Sequence, residues 1–173
     1  MDTRRRILDV ARELFAAQSY AGTSIADITG RLGMSKAALY YHFSSKAEIL
    51  SALMEAPLAA FERLADSRLP PAELLAAVVD TTAGYLDVVD AIGSDPSARA
   101  VIRDLSRQRG ADEINATIVA ALAGPAPSEP RRVRAHAAYA VAKHGTLSLT
   151  AGGKLATHDR AEILAAAMRA LDA

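Results

Sequence analysis

Apolar residues recur at helical spacing along this chain of 173 residues. In the first stretch they stand at positions i, i+1, i+4, i+7 and i+8, as Ile7, Leu8, Ala11, Leu14 and Phe15. This spacing places them on one face of an amphipathic helix. No stretch of useful length alternates apolar and polar residues as a strand would, and alanine, the best helix former, is the commonest residue. The pattern predicts an all-α fold.

Capping signals divide the N-terminal part of the chain into short helices. Ser24 followed by Asp27 has the form of a capping box, and Gly33 is suited to end the helix that begins there in the left-handed conformation. Ser35 is a good N-cap for a third helix, which ends near Phe43. These residues predict three helices joined by short turns.

Longer helices are expected further along the chain. The helix from 46 to about 67 contains Pro57, which should kink or divide it. Asp95 and Pro96 have the form of an N-cap followed by a first-turn proline, and Asp159 is the expected cap of the last helix. The helices predicted after residue 70 cover about 72–89, 96–109, 111–123, 131–151 (ending at Gly152-Gly153) and 159–172.

Three of the chain's eight tyrosines and phenylalanines lie in one turn, as Tyr40, Tyr41 and Phe43 around His42. At 100° per residue, Leu39 and Phe43 share one side of the third helix, so the core takes them, while Tyr41 falls on the opposite side. A tyrosine outside the core offers apolar contact and a hydroxyl that donates to phosphate. Packing between helices is the simpler alternative, and we assign it to Phe43.

The outer face of this third helix has the properties of a surface that enters a groove. The small side chains of Ala37 and Ala38 allow a groove wall or a base edge to approach the helix closely. Lys36 lies at the helix start, where backbone N–H groups also favour a phosphate. Two short helices joined by Leu32-Gly33-Met34-Ser35, the second apolar inside and polar-aromatic outside, form the pattern of a helix-turn-helix.

Composition and charge narrow the function classes. The chain has no cysteine, which excludes disulfides and thiolate metal sites and agrees with a reducing cytoplasm. No apolar run reaches the length of a membrane span, and the N-terminus has no apolar core of a signal peptide. The formal net charge is zero, which argues against non-specific coating of nucleic acid. We find no catalytic constellation and no metal-ligand spacing among the four histidines, so we predict neither an enzyme nor a metal or cofactor.

The stretch TSIADITGRLGMSKAALYYHFSSKAEIL, with the preceding RRRILDVARELFAAQSYAG, resembles the DNA-binding signature of the tetracycline-repressor (TetR) family of bacterial regulators. The resemblance covers residues 4–50; beyond residue 55 the chain shares only the family's helical plan. Gly30 departs from the helix-favouring residues usual at its position, and this predicts a short or frayed second helix.

The resemblance implies a double-stranded DNA operator as the main partner and assigns roles to individual residues. Phosphate contacts would come from Ser24, Tyr40, His42 and Lys46. The major groove would be faced by Lys36, Ala37, Ala38 and Tyr41, with Ser35 at the start of their helix.

The family plan also implies a small-molecule effector and a homodimer. The candidates to line an effector cavity are polar residues beside apolar stripes, namely Thr82, Tyr85, Arg103, Asn115, Tyr139 and Ser148; an edge-of-core role is the alternative for each. The family pairs its last long helices into a four-helix bundle, and small residues that would suit such pairing are Ala135, Ala138, Ala142, Gly145, Ala161 and Ala165, together with Met168.

We therefore predict an N-terminal helix-turn-helix domain at residues 1–48 and a C-terminal helical domain for ligand binding and dimerisation at 49–173. The expected function is repression of transcription in the cytoplasm, relieved when a small, mostly apolar ligand releases the palindromic operator. The alternative is a DNA-binding regulator controlled by a protein partner without a small ligand.

Overall fold

The protein is described from a computed structural model that covers residues 2–86, 88–89, 95–149 and 154–173. The regular secondary structure of these residues is helical, and none of their helices is long and apolar enough to cross a membrane. The helices are α1 (Thr3–Gln18), α2 (Ile25–Leu32), α3 (Lys36–His42), α4 (Lys46–Ala65), α5 (Pro71–Ala83), α6 (Pro96–Gln108), α7 (Ala111–Ala123), α8 (Glu129–Ala140) and α9 (Thr157–Asp172).

The chain forms two compact units. The first contains residues up to 56 together with the described residues between 88 and 109, so that α6 belongs to it. Its core brings Ile7 and Phe15 of α1 together with Ile28, and Ala98 of α6 is fully buried in the same cluster. The DNA-binding signature thus shares its core with a helix that lies far beyond it in sequence.

The second unit contains residues 57–86 and the described residues from 110 to 173. Its core is formed by α5, α7, α8 and α9. At the start of α8, the Arg131 guanidinium donates to the carbonyls of Leu171 (2.6 Å) and Leu122 (3.3 Å). Because these carbonyls belong to the last turns of α9 and α7, one cation satisfies two helix ends.

The local signals of the first unit act as predicted. Ser24 and Asp27 form a complete capping box, Gly33 adopts the left-handed conformation (φ 65°, ψ 33°), and Ser35 accepts a hydrogen bond from the Ala38 amide. Asp95 caps α6 and Pro96 opens it. Backbone groups at helix ends need such partners, so these short side chains determine where the helices begin.

Several predicted boundaries differ in the structure. The helix expected to reach Val89 ends at Ala83; Gly84 and Tyr85 form a turn, and the described residues Leu86, Val88 and Val89 are helical again. The helix expected over 131–151 begins earlier, and after Ala140 it continues as a π-helical turn, Val141–Gly145, and one more turn, Thr146–Ser148. Its predicted end at Gly152-Gly153 lies outside the described residues.

Two further expectations concern α4 and α9. The cap of α9 is Ala156, so Asp159 lies in the first turn, and that prediction was wrong. The helix α4 runs through Pro57 without division and ends at Ala65. Its first half belongs to the first compact unit and its second half to the other, so the predicted domain boundary at residues 48 and 49 does not coincide with the division into units.

Candidate DNA-binding surface

The helix α3 separates its side chains as the helical period predicts. Leu39 is fully buried and Phe43, just after the helix, is 1% exposed. Tyr41 is 86% exposed and Tyr40 is 50% exposed, although both are aromatic. Two adjacent tyrosines thus stand on the outer face of α3, where their rings and hydroxyls are accessible to a partner.

The rest of the outer face of α3 has small side chains and one basic residue. Lys36, Ala37 and Ala38 are all exposed, and Ser35 is exposed at the N-cap. His42 is half-buried, with its ring edge-on to Tyr41 at 5.3 Å between centroids. The structure therefore brings seven of the predicted residues together at one helix: Ser35, Lys36, Ala37, Ala38, Tyr40, Tyr41 and His42.

Lys46 has an intramolecular role that the sequence did not indicate. Its Nζ atom donates to the carbonyls of Tyr20 (2.7 Å) and Thr23 (2.8 Å) and lies 4.3 Å from the centre of the Tyr20 ring. A lysine has three donors, and these contacts use two of them. Lys46 thus ties the loop between α1 and α2 to the start of α4.

Ser24 is also engaged within the protein. Its hydroxyl and its backbone amide both donate to Oδ2 of Asp27, at 2.6 and 2.7 Å. These hydrogen bonds lower the pKa of Asp27, so the carboxylate is ionised at neutral pH. Ser24 was predicted to contact a phosphate, but both of its donors already bind the Asp27 carboxylate.

The loop between α1 and α2 has a second anchor, Asp95. One oxygen of its carboxylate caps α6, and the other accepts a hydrogen bond from the Ala21 amide at 2.5 Å. These hydrogen bonds, with Ser97 first, lower the pKa of Asp95 to about 2. The sequence identified Asp95 as a cap but carried no signal for the contact with Ala21, which is distant in sequence.

The predicted effector residues are only partly brought together. Asn115 Oδ1 accepts hydrogen bonds from the Tyr139 hydroxyl (2.5 Å) and from Nζ of Lys143 (3.1 Å). Lys143 was not predicted; it lies on the π-helical turn, its Nζ is 4.6 Å from the centre of the Phe61 ring, and burial lowers its pKa. Burial also raises the pKa of Tyr139. These residues form a polar cluster in the second unit.

The other effector candidates have separate local roles. Thr82 is buried and donates to the carbonyl of Val78, and Ser148 is exposed and donates to that of His144. Tyr85 is half-buried, and Arg103 is exposed on α6, in the first unit. Two surface pockets of the second unit, of about 190 and 330 Å³, are open to solvent, and neither is lined by the predicted residues.

Three of the predicted dimer residues are not at the surface. Ala135, Ala138 and Ala142 are fully buried in the core of their own chain, so they cannot line an interface. The small side chains of this face of α8 allow close packing against α9 within one chain. Of the remaining candidates, Ala161 is exposed, whereas Gly145, Ala165 and Met168 are half-buried.

A capped pair of short helices, with the second exposing tyrosines and a lysine beside small residues, defines a helix-turn-helix protein with an appended helical unit. Residues 7–53 match the family model described as "Bacterial regulatory proteins, tetR family". The HTH-type transcriptional regulator AcrR of Shigella flexneri is 39% identical over 54 residues, which are 31% of this chain and 25% of AcrR. The HTH-type transcriptional repressor KstR2 of Rhodococcus jostii is 30% identical over 114 residues, 64% of this chain and 53% of KstR2.

Similarity of the fold extends over the whole chain. A crystal structure of a transcriptional regulator from Aquifex aeolicus superimposes with a TM-score of 0.75 at 21% identity, covering 95% of this chain and 96% of that one. The matches to the first curated relatives span only about a quarter of their length. Over residues 7–53 the chain matches the N-terminal region of the TetR family of bacterial regulatory proteins.

Proposed function

We propose that the protein is a sequence-specific DNA-binding transcriptional regulator that binds a palindromic operator as a homodimer in the cytoplasm. The observation that supports this most directly is the exposure of Tyr40 and Tyr41 beside Lys36 on a helix with a packed inner face. Such a helix presents apolar contact area, hydroxyl donors and a cation to the major groove.

The residues of this surface divide into two roles. Lys36 and Tyr41, with Ala37 and Ala38 between them in the low face, would meet base edges. Tyr40 and His42 would meet phosphates, with the N-terminus of α3 adding its backbone donors. Ser24 and Lys46 stabilise the site from within the protein. Both donors of Ser24 bind Asp27, and two of the three donors of Lys46 bind backbone carbonyls, which leaves one for a phosphate.

The test begins with selection of a binding sequence from a random duplex library, followed by fluorescence anisotropy. Binding should weaken steeply with salt, with a log–log slope of about −0.9 for each phosphate neutralised. Tyr41→Ala should reduce operator affinity without changing the melting temperature, because the ring is 86% exposed. Lys154→Ala removes an exposed lysine of the second unit and serves as the control. No selected sequence, or a flat salt dependence, would contradict the proposal.

We further propose that the regulator is a repressor and that a small, mostly apolar effector binds in the second unit. The polar cluster of Asn115, Tyr139 and Lys143 beside Phe61 supports a site in this unit, because convergent polar groups among apolar side chains are typical of ligand sites. The two pockets described above lie elsewhere in the unit, so the effector would have to open a space beside the cluster. The helix α4 provides a physical connection, since it supplies Ile49 to one core and packs Phe61 against the other.

A hundredfold loss of operator affinity requires a coupling free energy of about 2.7 kcal/mol. The effector must then bind the free protein about a hundredfold more tightly than the DNA-bound protein. A thermal-shift screen with and without operator measures this difference. Hits that bind equally in both states are not effectors, and a screen without hits favours the alternative, control by a protein partner.

We propose that the dimer forms through exposed parts of α8 and α9. Val133 is 63% exposed on α8, and Ala137 is exposed one turn later. Ala161 provides a small exposed residue on α9. Sedimentation at micromolar concentration should show a dimer, and Val133→Glu should shift it to monomer; a wild-type monomer would exclude this arrangement.

A further inference from the structure

The loop between α1 and α2 is held from two sides by side chains of opposite charge. On one side, Nζ of Lys46 binds the carbonyls of Tyr20 and Thr23. On the other side, the Asp95 carboxylate accepts a hydrogen bond from the Ala21 amide. Carbonyls thus meet the cation and the N–H group meets the anion, so both contacts are charge-assisted hydrogen bonds.

The loop has little freedom to adjust. Ser19 has a positive φ of 64° with ψ of 165°, a conformation that costs a residue with a side chain about 1–3 kcal/mol. A Cβ atom on Gly22 would lie 2.1 Å from the Gln18 carbonyl oxygen. Thr23 is buried and donates to the carbonyl of Ser19. The loop is therefore a tight turn that needs external contacts to maintain its strained form.

The position of this loop determines where α2 begins. Ser24 follows the loop directly and is the N-cap of α2, and α2 packs on α3 through the shared core. A shift of the loop is therefore transmitted to the start of the helix-turn-helix. Lys46 holds the loop from α4, next to α3 in sequence, whereas Asp95 holds it from α6, the helix added from beyond residue 87.

We propose that Asp95 is a positioning residue for DNA binding, which fixes the α1–α2 loop, and through it α2 and α3, to the N-terminus of α6. The proposal rests on the proposed DNA-binding function. The two oxygens of the Asp95 carboxylate bind different partners. Oδ1 accepts hydrogen bonds from the Ser97 amide (2.9 Å) and hydroxyl (2.6 Å), and Oδ2 accepts one from the Ala21 amide. One carboxylate thus joins the loop to the start of α6.

The sign of the expected effect separates positioning from simple electrostatics. Asp95 is an anion in the unit that carries the DNA-binding surface, so its neutralisation removes repulsion of phosphates and by charge alone strengthens DNA binding. The positioning role predicts weaker DNA binding, because a loop without the Asp95 contact must be ordered when DNA binds. A loss of affinity on neutralisation is thus specific to the positioning role.

The experiment compares Asp95→Asn with Asp104→Asn in the full-length protein. Asparagine is a good N-cap, so α6 keeps its start, but an amide has one oxygen and cannot accept from both α6 and Ala21. Asp104 provides the control: it is exposed, lies on the same helix and pairs with Arg107. A second variant, Asp95→Ser, also caps α6 but is too short to replace both carboxylate contacts.

Affinity for the selected operator is measured per folded molecule, by stoichiometric titration well below the melting temperature. We expect Asp95→Asn and Asp95→Ser to bind about tenfold more weakly, which corresponds to about 1.4 kcal/mol, and Asp104→Asn to stay within about twofold. Hydrogen exchange of the Ala21 amide should accelerate in both Asp95 variants and not in the control.

The outcomes are distinct. Wild-type affinity or tighter binding of Asp95→Asn, with a functional wild type, overturns the positioning role and leaves the proposed function intact. Unchanged exchange at Ala21 overturns it as well, because the loop is then held without Asp95. Failure of the wild-type protein to bind any duplex overturns the proposed function, and the positioning role fails with it.

Discussion

Replacement of two glycines by alanine should change the stability of the first unit in opposite directions. Gly30 lies inside α2, is exposed, and has no heavy atom within 4 Å of the position of an added Cβ. Gly22 lies in the loop before α2, where the added Cβ would be 2.1 Å from the carbonyl oxygen of Gln18. Neither glycine has a positive φ, so backbone strain does not enter the comparison.

The magnitudes follow from these surroundings. In a helix, alanine is more favourable than glycine by about 0.5–1 kcal/mol, so Gly30→Ala should stabilise the protein by that amount. At Gly22 the contact is with backbone, which cannot rotate away. The chain must shift by nearly an ångström, and overpacking of this kind typically costs about 1–3 kcal/mol.

Thermal unfolding followed by far-UV circular dichroism, at one protein concentration and without DNA, measures both effects. In a chain of this size, 1 kcal/mol corresponds to about 2–4 °C, so we expect a rise of about 1–4 °C for Gly30→Ala and a fall of about 2–12 °C for Gly22→Ala. A fall for Gly30→Ala would show that its surroundings are not open, and an unchanged melting temperature for Gly22→Ala would refute the close approach to Gln18.

Two further predictions concern the second unit. Ala138→Glu should unfold it, because the residue is fully buried among α5, α7 and α9. Ala137→Glu, on the exposed side of α8, should keep the helical circular dichroism spectrum even where it weakens the proposed dimer. Equal loss of helical signal in both variants would contradict the assigned faces of α8. Arg160 donates two hydrogen bonds to the Asp80 carboxylate, and these lower the pKa of Asp80 in the folded state. The pair therefore stabilises the folded state at pH values above the unfolded pKa of about 3.9. This stabilisation is lost as the pH falls through the lower folded pKa. Arg160→Ala should therefore have a lower urea midpoint than wild type at pH 7, by a small amount since the pair is exposed. The two midpoints should converge as Asp80 becomes protonated; a difference that does not shrink as the pH falls would show that the loss comes from packing.

The secondary structure near the N-terminus was predictable because its signals are local. A capping box joins residues three apart, and a left-handed glycine ends a helix by its own conformational freedom, so Ser24, Gly33 and Ser35 mark their helix ends in any tertiary context. The exposure of Tyr41 opposite Leu39 follows from the helical period in the same way. Prediction was poorer further along the chain, where a turn at Gly84 interrupts the helix after Ala83 and a π-helical turn follows Ala140, because no residue pattern there marks either feature.

The sequence by itself determined the all-helical class, the helix-turn-helix and the face that α3 exposes, because these depend on spacing within one or two turns. Only the tertiary structure decided which small residues of α8 lie in the chain's own core, since a stripe of alanines suits a neighbour in the same chain as well as one in a partner. It also decided that Lys46 and Asp95 converge on one loop. Ala21 and Asp95 are 74 residues apart, and the geometry that joins them arises only when α6 packs into the core of the first unit.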